Sequence, residues 1–351
     1  MKISKQRDAY LDLVKGIAII AVVLGHSIQF GSGVAFMQEE GYFYNDIFRF
    51  IYSWHMPLFM LVSGYLFSFS TKRHEWKELL KSRFTQLLIP MLSWAALITI
   101  ALSLRGGDNT LLLYTFAKRF INDIWFLWAI FYNSLIVLLV RKYFSDSLWI
   151  YGVVYVLTFI TPDTFGAGLY KFMYPFFVIA YLYGMGKLLW ISYVLQKLNP
   201  IKITLIVAVL YIFLFSMYGY YSYIYTSGYS VVNFKSQTIA MWKLWNDIFR
   251  MCIGFAGSVL LLLLIRLIYD RTKNLIDIVW KFLQQIGIAS LAIYIISGYI
   301  NSYILPKICK NFELNYMITI LETVLVVTFC YGGFYLLRKW SVVNRFLLGG
   351  R

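Results

Sequence analysis

Asp12-Leu-Val-Lys15-Gly16-Ile-Ala-Ile-Ile-Ala-Val-Val-Leu-Gly25-His26 decides how this chain is read, because ten apolar or small residues separate a lysine from a histidine within one hydrophobic run. At about 100° per residue, an eleven-residue step closes three helical turns with roughly 20° left over. Both side chains therefore lie on one helix face, about 16 Å apart along the axis. A lysine inside lipid costs about 2.5 to 3.5 kcal/mol on insertion scales, and ionisable groups in spans usually face a protein cavity and act there. One face thus carries a cation near one membrane surface and an imidazole deep inside.

Composition extends this reading to the whole chain. Of 351 residues, 60% are hydrophobic, 20% aromatic and only 14% charged, and apolar runs near twenty residues recur from end to end. Runs of that length read as membrane helices. The fold class is an all-α polytopic transmembrane bundle of about ten spans, at 13–30, 48–70, 84–104, 123–140, 147–160, 171–190, 203–221, 248–268, 282–304 and 316–337. The fifth run is short. No linker or soluble insertion interrupts the chain, so residues 1–351 read as a single integral-membrane domain.

Lys and Arg accumulate on the cytoplasmic side of membrane proteins. If the N-terminus (Lys2, Lys5, Arg7) is inside and ten spans cross, 22 of the 32 basic residues fall inside. An even number of crossings with both termini cytoplasmic is the expectation, with the 222–247 loop outside. The net charge of +16 is spread over separate inner loops, which favours anionic membrane lipids and an anionic cytosolic ligand over nucleic acid. The first run is too long for a cleaved signal peptide and lacks a small-residue cleavage site. Cys252, Cys309 and Cys330 show neither metal spacing nor a disulfide framework, and buried packing is their expected role.

His26 and His55 are two of only three histidines, and both fall in predicted spans. His26 lies about four residues from the outer end of its span and His55 about seven from the outer end of its own, so their depths agree within a turn. Ser53-Trp54-His55-Met56-Pro57 predicts a proline-distorted helix, in which His55 reads equally well as an interhelical hydrogen-bonding residue. His74, in a charged loop, is expected to be solvated. Asp12 is positioned to hold Lys15 across one turn. Arg83 opens the third span, and Glu322 stands in the tenth without an obvious partner.

These stretches resemble the membrane-bound acyltransferase 3 family. The resemblance rests on Asp12-Leu-Val-Lys15-Gly16 leading to Gly25-His26, and on Trp54-His55-Met56-Pro57-Leu58-Phe59 with Ser63-Gly64-Tyr65-Leu66. It continues through Arg83 with Leu87-Leu-Ile-Pro90, Trp125-Phe-Leu127, Pro175-Phe-Phe with Gly184, and Ile286-Gly287-Ile-Ala-Ser290-Leu-Ala-Ile-Tyr294. It covers nearly the whole chain in order, and its first two motifs are the specific ones.

The resemblance implies an enzyme that moves an acyl group, commonly acetyl, from cytosolic acyl-CoA to a hydroxyl of an envelope glycan or lipid-linked sugar. No cofactor or metal is bound on this reading, and acyl-CoA is a co-substrate. The setting implied is the inner or plasma membrane of a bacterial cell. Donor-binding candidates are Lys15, Arg83 and Asp12; catalytic candidates are His26 and His55. His26 reads as general base for an acceptor hydroxyl, and a transient acyl-histidine fits the same residues. Many family members carry Arg where this chain has Lys15, which replaces a planar fork by a point charge. Others have a His after the ninth-span Ile-Tyr, where this chain reads Ile295-Ile296-Ser297. A Glu that some branches carry after the Trp-x-Leu motif is also missing, so the chain looks closest to the stand-alone sugar O-acetylase branch. The rival class is an exporter of an envelope polysaccharide or lipid-linked sugar, with Lys15, His26 and Glu322 as path charges; no inverted repeat is visible to support it.

Overall fold

The computed structural model describes residues 8–104, 111–233 and 238–350, so Lys2, Lys5 and Arg7 lie outside the described residues. Omitting helical turns of five residues or fewer, the helices are α1 Ala9–Gly31, α2 Asp46–Tyr52, α3 His55–Arg73, α4 Trp76–Arg83, α5 Ile89–Ser103, α6 Leu112–Asn122, α7 Trp125–Phe144, α8 Leu148–Ile160, α9 Ala167–Met185, α10 Leu189–Lys197, α11 Pro200–Ser216, α12 Met241–Thr272, α13 Asp277–Ile288, α14 Ser290–Tyr303, α15 Tyr316–Arg338 and α16 Ser341–Leu348. The chain is an all-α helical membrane protein, apart from a two-residue hairpin pairing Val232–Asn233 with Thr238–Ile239.

Among the described residues, seven helical stretches are long and apolar enough to cross a membrane, with an eighth if α13 and α14 with its continuation, bent by 71°, count as one span. The shorter apolar helices α8 and α11 account for the other two anticipated segments. On α11 the apolar side chains Leu205, Ile206, Val209, Ile212 and Phe213 are all exposed, a pattern suited to a lipid solvent. Two boundaries differ from expectation. The 222–247 stretch is not all loop, because α12 begins at Met241 and runs for 32 residues. The helix that carries Arg83 begins earlier, at Trp76, and runs to Ser103, with Arg83 at the start of its apolar part. Just after it, Phe84–Leu88 widens into a π-turn. Pro90 lacks an N–H and its ring crowds the carbonyl four residues back, and a π-turn is a usual way to absorb such a mismatch.

The chain divides into two compact units, one formed by Met1–Phe59, Tyr193–Gly219 and Ile253–Tyr335, the other by Met60–Ser192, Tyr220–Cys252 and Leu336–Arg351. In the first, α1 packs closely on α13. A Cβ at Gly16 would overlap the Leu283 carbonyl, and one at Gly287 would overlap the Asp12 carbonyl. Small residues that let backbones touch are the usual means of helix association in lipid, and here they join two of the motif glycines. Beyond the bend at Ala289, α14 also packs against α1.

The second unit is held by a charged network. Lys171 Nζ lies 2.6 Å from Asp163 Oδ1 and donates to the Thr161 carbonyl at 2.6 Å. The other Asp163 oxygen accepts from the backbone N–H groups of Tyr229 and Ser230. Arg250 pairs with Asp247 at 2.6 Å and donates to the carbonyls of Ser222 and Gly228 and to Ser227 Oγ. Lys171 and Arg250 are each only 3% exposed, so neither acts as the free loop charge that a topology count assumes. Stacked Phe159 and Tyr229 rings, with Val231, form an apolar cluster in the same unit.

Candidate active site

Asp8 opens α1 by accepting from the N–H groups of Tyr10 and Leu11, satisfying donors that a helix start leaves unpaired. One turn on, Asp12 Oδ1 meets Lys15 Nζ at 2.6 Å. Asp12 is buried, 6% exposed, and the Lys15 side chain is 18% exposed, so the anticipated i,i+3 pair holds a largely covered cation near one end of α1. His26 lies eleven residues further along the unbroken helix. The residue is half-buried, and its Nδ1 is buried with no hydrogen-bond partner among the described residues.

The second histidine is placed by a break in its helix. Pro57 cannot donate a backbone bond to the Ser53 carbonyl, and the helix is interrupted at Ser53–Trp54 between α2 and α3. The His55 ring takes up the Ile51 carbonyl at 2.8 Å through Nδ1. A carbonyl only accepts, so this contact requires a proton on Nδ1 and leaves Nε2 with the lone pair in the neutral ring. Ser53 Oγ, at the same break, shares a hydrogen bond of 2.7 Å with Tyr211.

Tyr52, which the sequence reading overlooked, joins the two histidines. Its ring lies edge-on to His55 at 4.6 Å and edge-on to His26 at 6.4 Å between centroids, and stacks on Phe48 at 3.8 Å. A Cβ at Gly25 would come within 3.1 Å of that ring, so the glycine before His26 makes room for it. The signal lay in the spacing: Tyr52 precedes His55 by three residues across a proline break.

The remaining candidates scatter. Glu322 has a partner after all, accepting from Cys309 Sγ at 3.1 Å, and its carboxylate lies against the backbone of Gly31. Arg83 belongs to the second unit, where its guanidinium sits 4.5 Å over the Phe67 ring. His74 is exposed beside Glu78, as anticipated. Cys309 and Cys330 are buried, but Cys252 is exposed, so packing does not account for all three thiols.

A family model described as an acyltransferase domain, of the acyltransferase 3 type, matches residues 8–339. The chain belongs to the acyltransferase 3 family. Two relatives are both named Nodulation protein NolL. That of Sinorhizobium fredii is 35% identical over 184 residues, covering 51% of this chain and 50% of the relative. That of Mesorhizobium japonicum is 30% identical over 186 residues, covering 51% of this chain and 48% of the relative. The chain spans about half the length of the curated relatives it matches. No solved structure matches it.

Proposed function

We propose that this protein is a membrane O-acyltransferase that moves an acetyl group from cytosolic acetyl-CoA to a hydroxyl of an envelope glycan or lipid-linked sugar in a bacterial inner or plasma membrane. The observation that carries this reading is the spacing on α1. A cation braced by Asp12 and an imidazole stand on one helix, eleven residues apart, about 16 Å along the axis. CoA has an anionic nucleotide end and a long, thin pantetheine arm ending in the thioester, so a charged group and a base at that separation suit its two ends. Arg83 is a further donor-phosphate candidate on its charge alone.

In the proposed reaction the acceptor O–H gives its proton to the His26 imidazole as its oxygen attacks the thioester carbonyl. Collapse of the tetrahedral intermediate breaks the C–S bond. The departing thiolate takes up the proton and leaves as CoA, and the ester stays on the acceptor. His55 is the second catalytic candidate: with Nδ1–H committed to the Ile51 carbonyl, its Nε2 is available as an acceptor, and Tyr52 fixes its position relative to His26.

The test is release of free CoA thiol by the purified full-length protein in lipid nanodiscs, with acetyl-CoA and a panel of methyl hexosides. Acceptor-dependent thiol release, matched by ester formation, is the expected result. Rapid acyl-histidine accumulation without acceptor would replace the general-base role by nucleophilic catalysis. Absence of acetyl-CoA consumption with every acceptor would remove the assignment.

A further inference from the structure

Gln29 stands one turn beyond His26 on α1, and no step of the reaction above uses it. The helix is unbroken between the two, so the i,i+3 spacing sets their side chains about 60° apart on one face and about 4.5 Å apart along the axis. The Gln29 side chain makes a hydrogen bond with the His26 imidazole and another with the Tyr42 hydroxyl. Nδ1 of His26 has no hydrogen-bond partner among the described residues, so the ring meets Gln29 through Nε2.

Aromatic contacts close this chain of side chains into a ring. Tyr42, 9% exposed in the turn Gly41–Tyr44, packs edge-on against Phe48 at 5.1 Å between centroids. Phe48 stacks on Tyr52 at 3.8 Å, and Tyr52 lies edge-on to His26 at 6.4 Å. Asn45 ties the turn to α2 by accepting from the Phe48 N–H. His26, Gln29, Tyr42, Phe48 and Tyr52 thus brace one another within the first unit, and Phe30 flanks the imidazole at 5.8 Å. In so enclosed a ring, the amide hydrogen-bonded to the imidazole sets which nitrogen carries the proton.

Two arrangements satisfy the amide. If Tyr42 donates to the Gln29 oxygen, the amide N–H donates to Nε2, and the proton on Nδ1 is buried without an acceptor. If Nε2–H donates to the Gln29 oxygen, the amide N–H donates to the Tyr42 oxygen, and Nδ1 holds only a lone pair. As with backbone groups, a buried N–H without a partner is rarer than a buried acceptor without one. We propose that Gln29 is the positioning residue of His26: its carbonyl oxygen accepts from Nε2–H, its N–H donates to Tyr42, and the basic lone pair is thereby fixed on Nδ1. The inference rests on the acyltransfer reading and deepens it by naming the atom that takes the proton. Nδ1 accepts the proton of the attacking hydroxyl and returns it to the departing thiolate, while Nε2–H stays on Gln29 throughout. The bond to Gln29 strengthens when the ring becomes a cation, so the amide favours the charged intermediate, as the orienting group of a histidine base does. Nδ1 is covered, so an acceptor hydroxyl reaches it only as a neighbouring side chain moves aside.

The experiment records nitrogen NMR spectra of full-length protein, isotopically labelled at histidine, in phosphatidylcholine bilayers at neutral pH. The His26 signals are the pair lost in His26→Ala, or in His26→Gln if the alanine variant does not fold. Wild-type His26 should show a pyridine-type shift at Nδ1 and the shift of a hydrogen-bonded, pyrrole-type N–H at Nε2. Gln29→Leu should move the Nε2 signal to that of an unbonded N–H, and Gln29→Glu, which keeps an accepting oxygen, should retain the bonded one. With acetyl-CoA and methyl hexosides, Gln29→Leu should lower kcat about tenfold or more, as loss of orientation does, with the acetyl-CoA KM unchanged. Gln29→Ala carries the same expectations and serves if Gln29→Leu does not fold. A protonated Nδ1 in the neutral wild-type ring overturns the proposal, as does an unchanged Nε2 shift or a wild-type kcat in a folded Gln29 variant. Wild-type protein that consumes no acetyl-CoA with any hexoside removes the acyltransfer reading and the catalytic use of Gln29 with it, while the nitrogen shifts still decide whether Gln29 fixes the ring.

Discussion

Around Arg250 most buried polar atoms are matched: its guanidinium meets one oxygen of Asp247 and several carbonyls, and Lys171 meets Asp163 and the Thr161 carbonyl, while Asp247 Oδ2 has no partner among the described residues. Around the second half of α1, Ser27, Ser32, Asn301, one oxygen of Glu322 and Nδ1 of His26 have no hydrogen-bond partner among the described residues. Both regions pay to hold polar groups away from water, and the first recovers more of that cost within the protein. A charge network closed on itself fixes the segments it ties together. A buried donor or acceptor that finds no partner in its own chain needs another reason to be there. The difference separates structural polarity from functional polarity in a chain where both are buried in apolar helices.

The largest expected effect breaks the closed network. Arg250→Met leaves Asp247 buried and unpaired, and removing one partner of a buried ion pair costs about 3 to 5 kcal/mol. The midpoint of thermal unfolding in detergent should fall sharply; an unchanged midpoint would show that the network does not stabilise the fold.

Acid provides a milder test of the same network. Burial alone would raise the Asp163 carboxyl, but the Lys171 ammonium and the N–H groups of Ser230 and Tyr229 hold it below the ordinary carboxylate range. A depressed folded value means that the stabilisation is present above the unfolded pKa and is lost as pH falls through the folded one. Unfolding midpoints should therefore decline below about pH 4, where a free aspartate takes up its proton. Asp163→Asn should flatten that decline, and an identical acid profile for the variant would contradict the role given to Asp163.

At the donor end, Lys15→Ala should raise the acetyl-CoA KM about tenfold, or about 1.4 kcal/mol, and Lys15→Arg should retain part of the affinity. An unchanged KM for Lys15→Ala would move the nucleotide end away from α1. The smallest effect is an expected absence of reaction. Burial and the Glu322 carboxylate push the Cys309 thiol up to about 12, so it should resist a membrane-impermeant maleimide in sealed cells without being replaced. Rapid labelling of Cys309 would show that the Glu322 region is open to solvent.

Much of this was legible in the sequence because the signals are local. The ten apolar runs all fall on helices, and the break before His55 follows from Pro57. The Asp12–Lys15 pair follows from i,i+3 spacing. What escaped depends on distant partners. Lys171 and Arg250 gave no signal of their own, because Asp163 and Asp247 are recognised as mates only once the loops fold over them. Asn301 escaped because one amide in an apolar run looks like an ordinary interhelical hydrogen bond until its lack of a partner is seen. The 71° bend at Ala289 has no proline to announce it, and Gly287 is occupied with the contact to Asp12.

The central claim is that His26 takes the acceptor's proton, and the direct measurement is ester formation from acetyl-CoA by His26→Ala in nanodiscs. Loss of a general base lowers rates by about 10²- to 10⁴-fold. His26→Ala should fall by that much while retaining a normal unfolding midpoint and normal acetyl-CoA binding. A folded His26→Ala protein that forms ester at the wild-type rate would contradict the account.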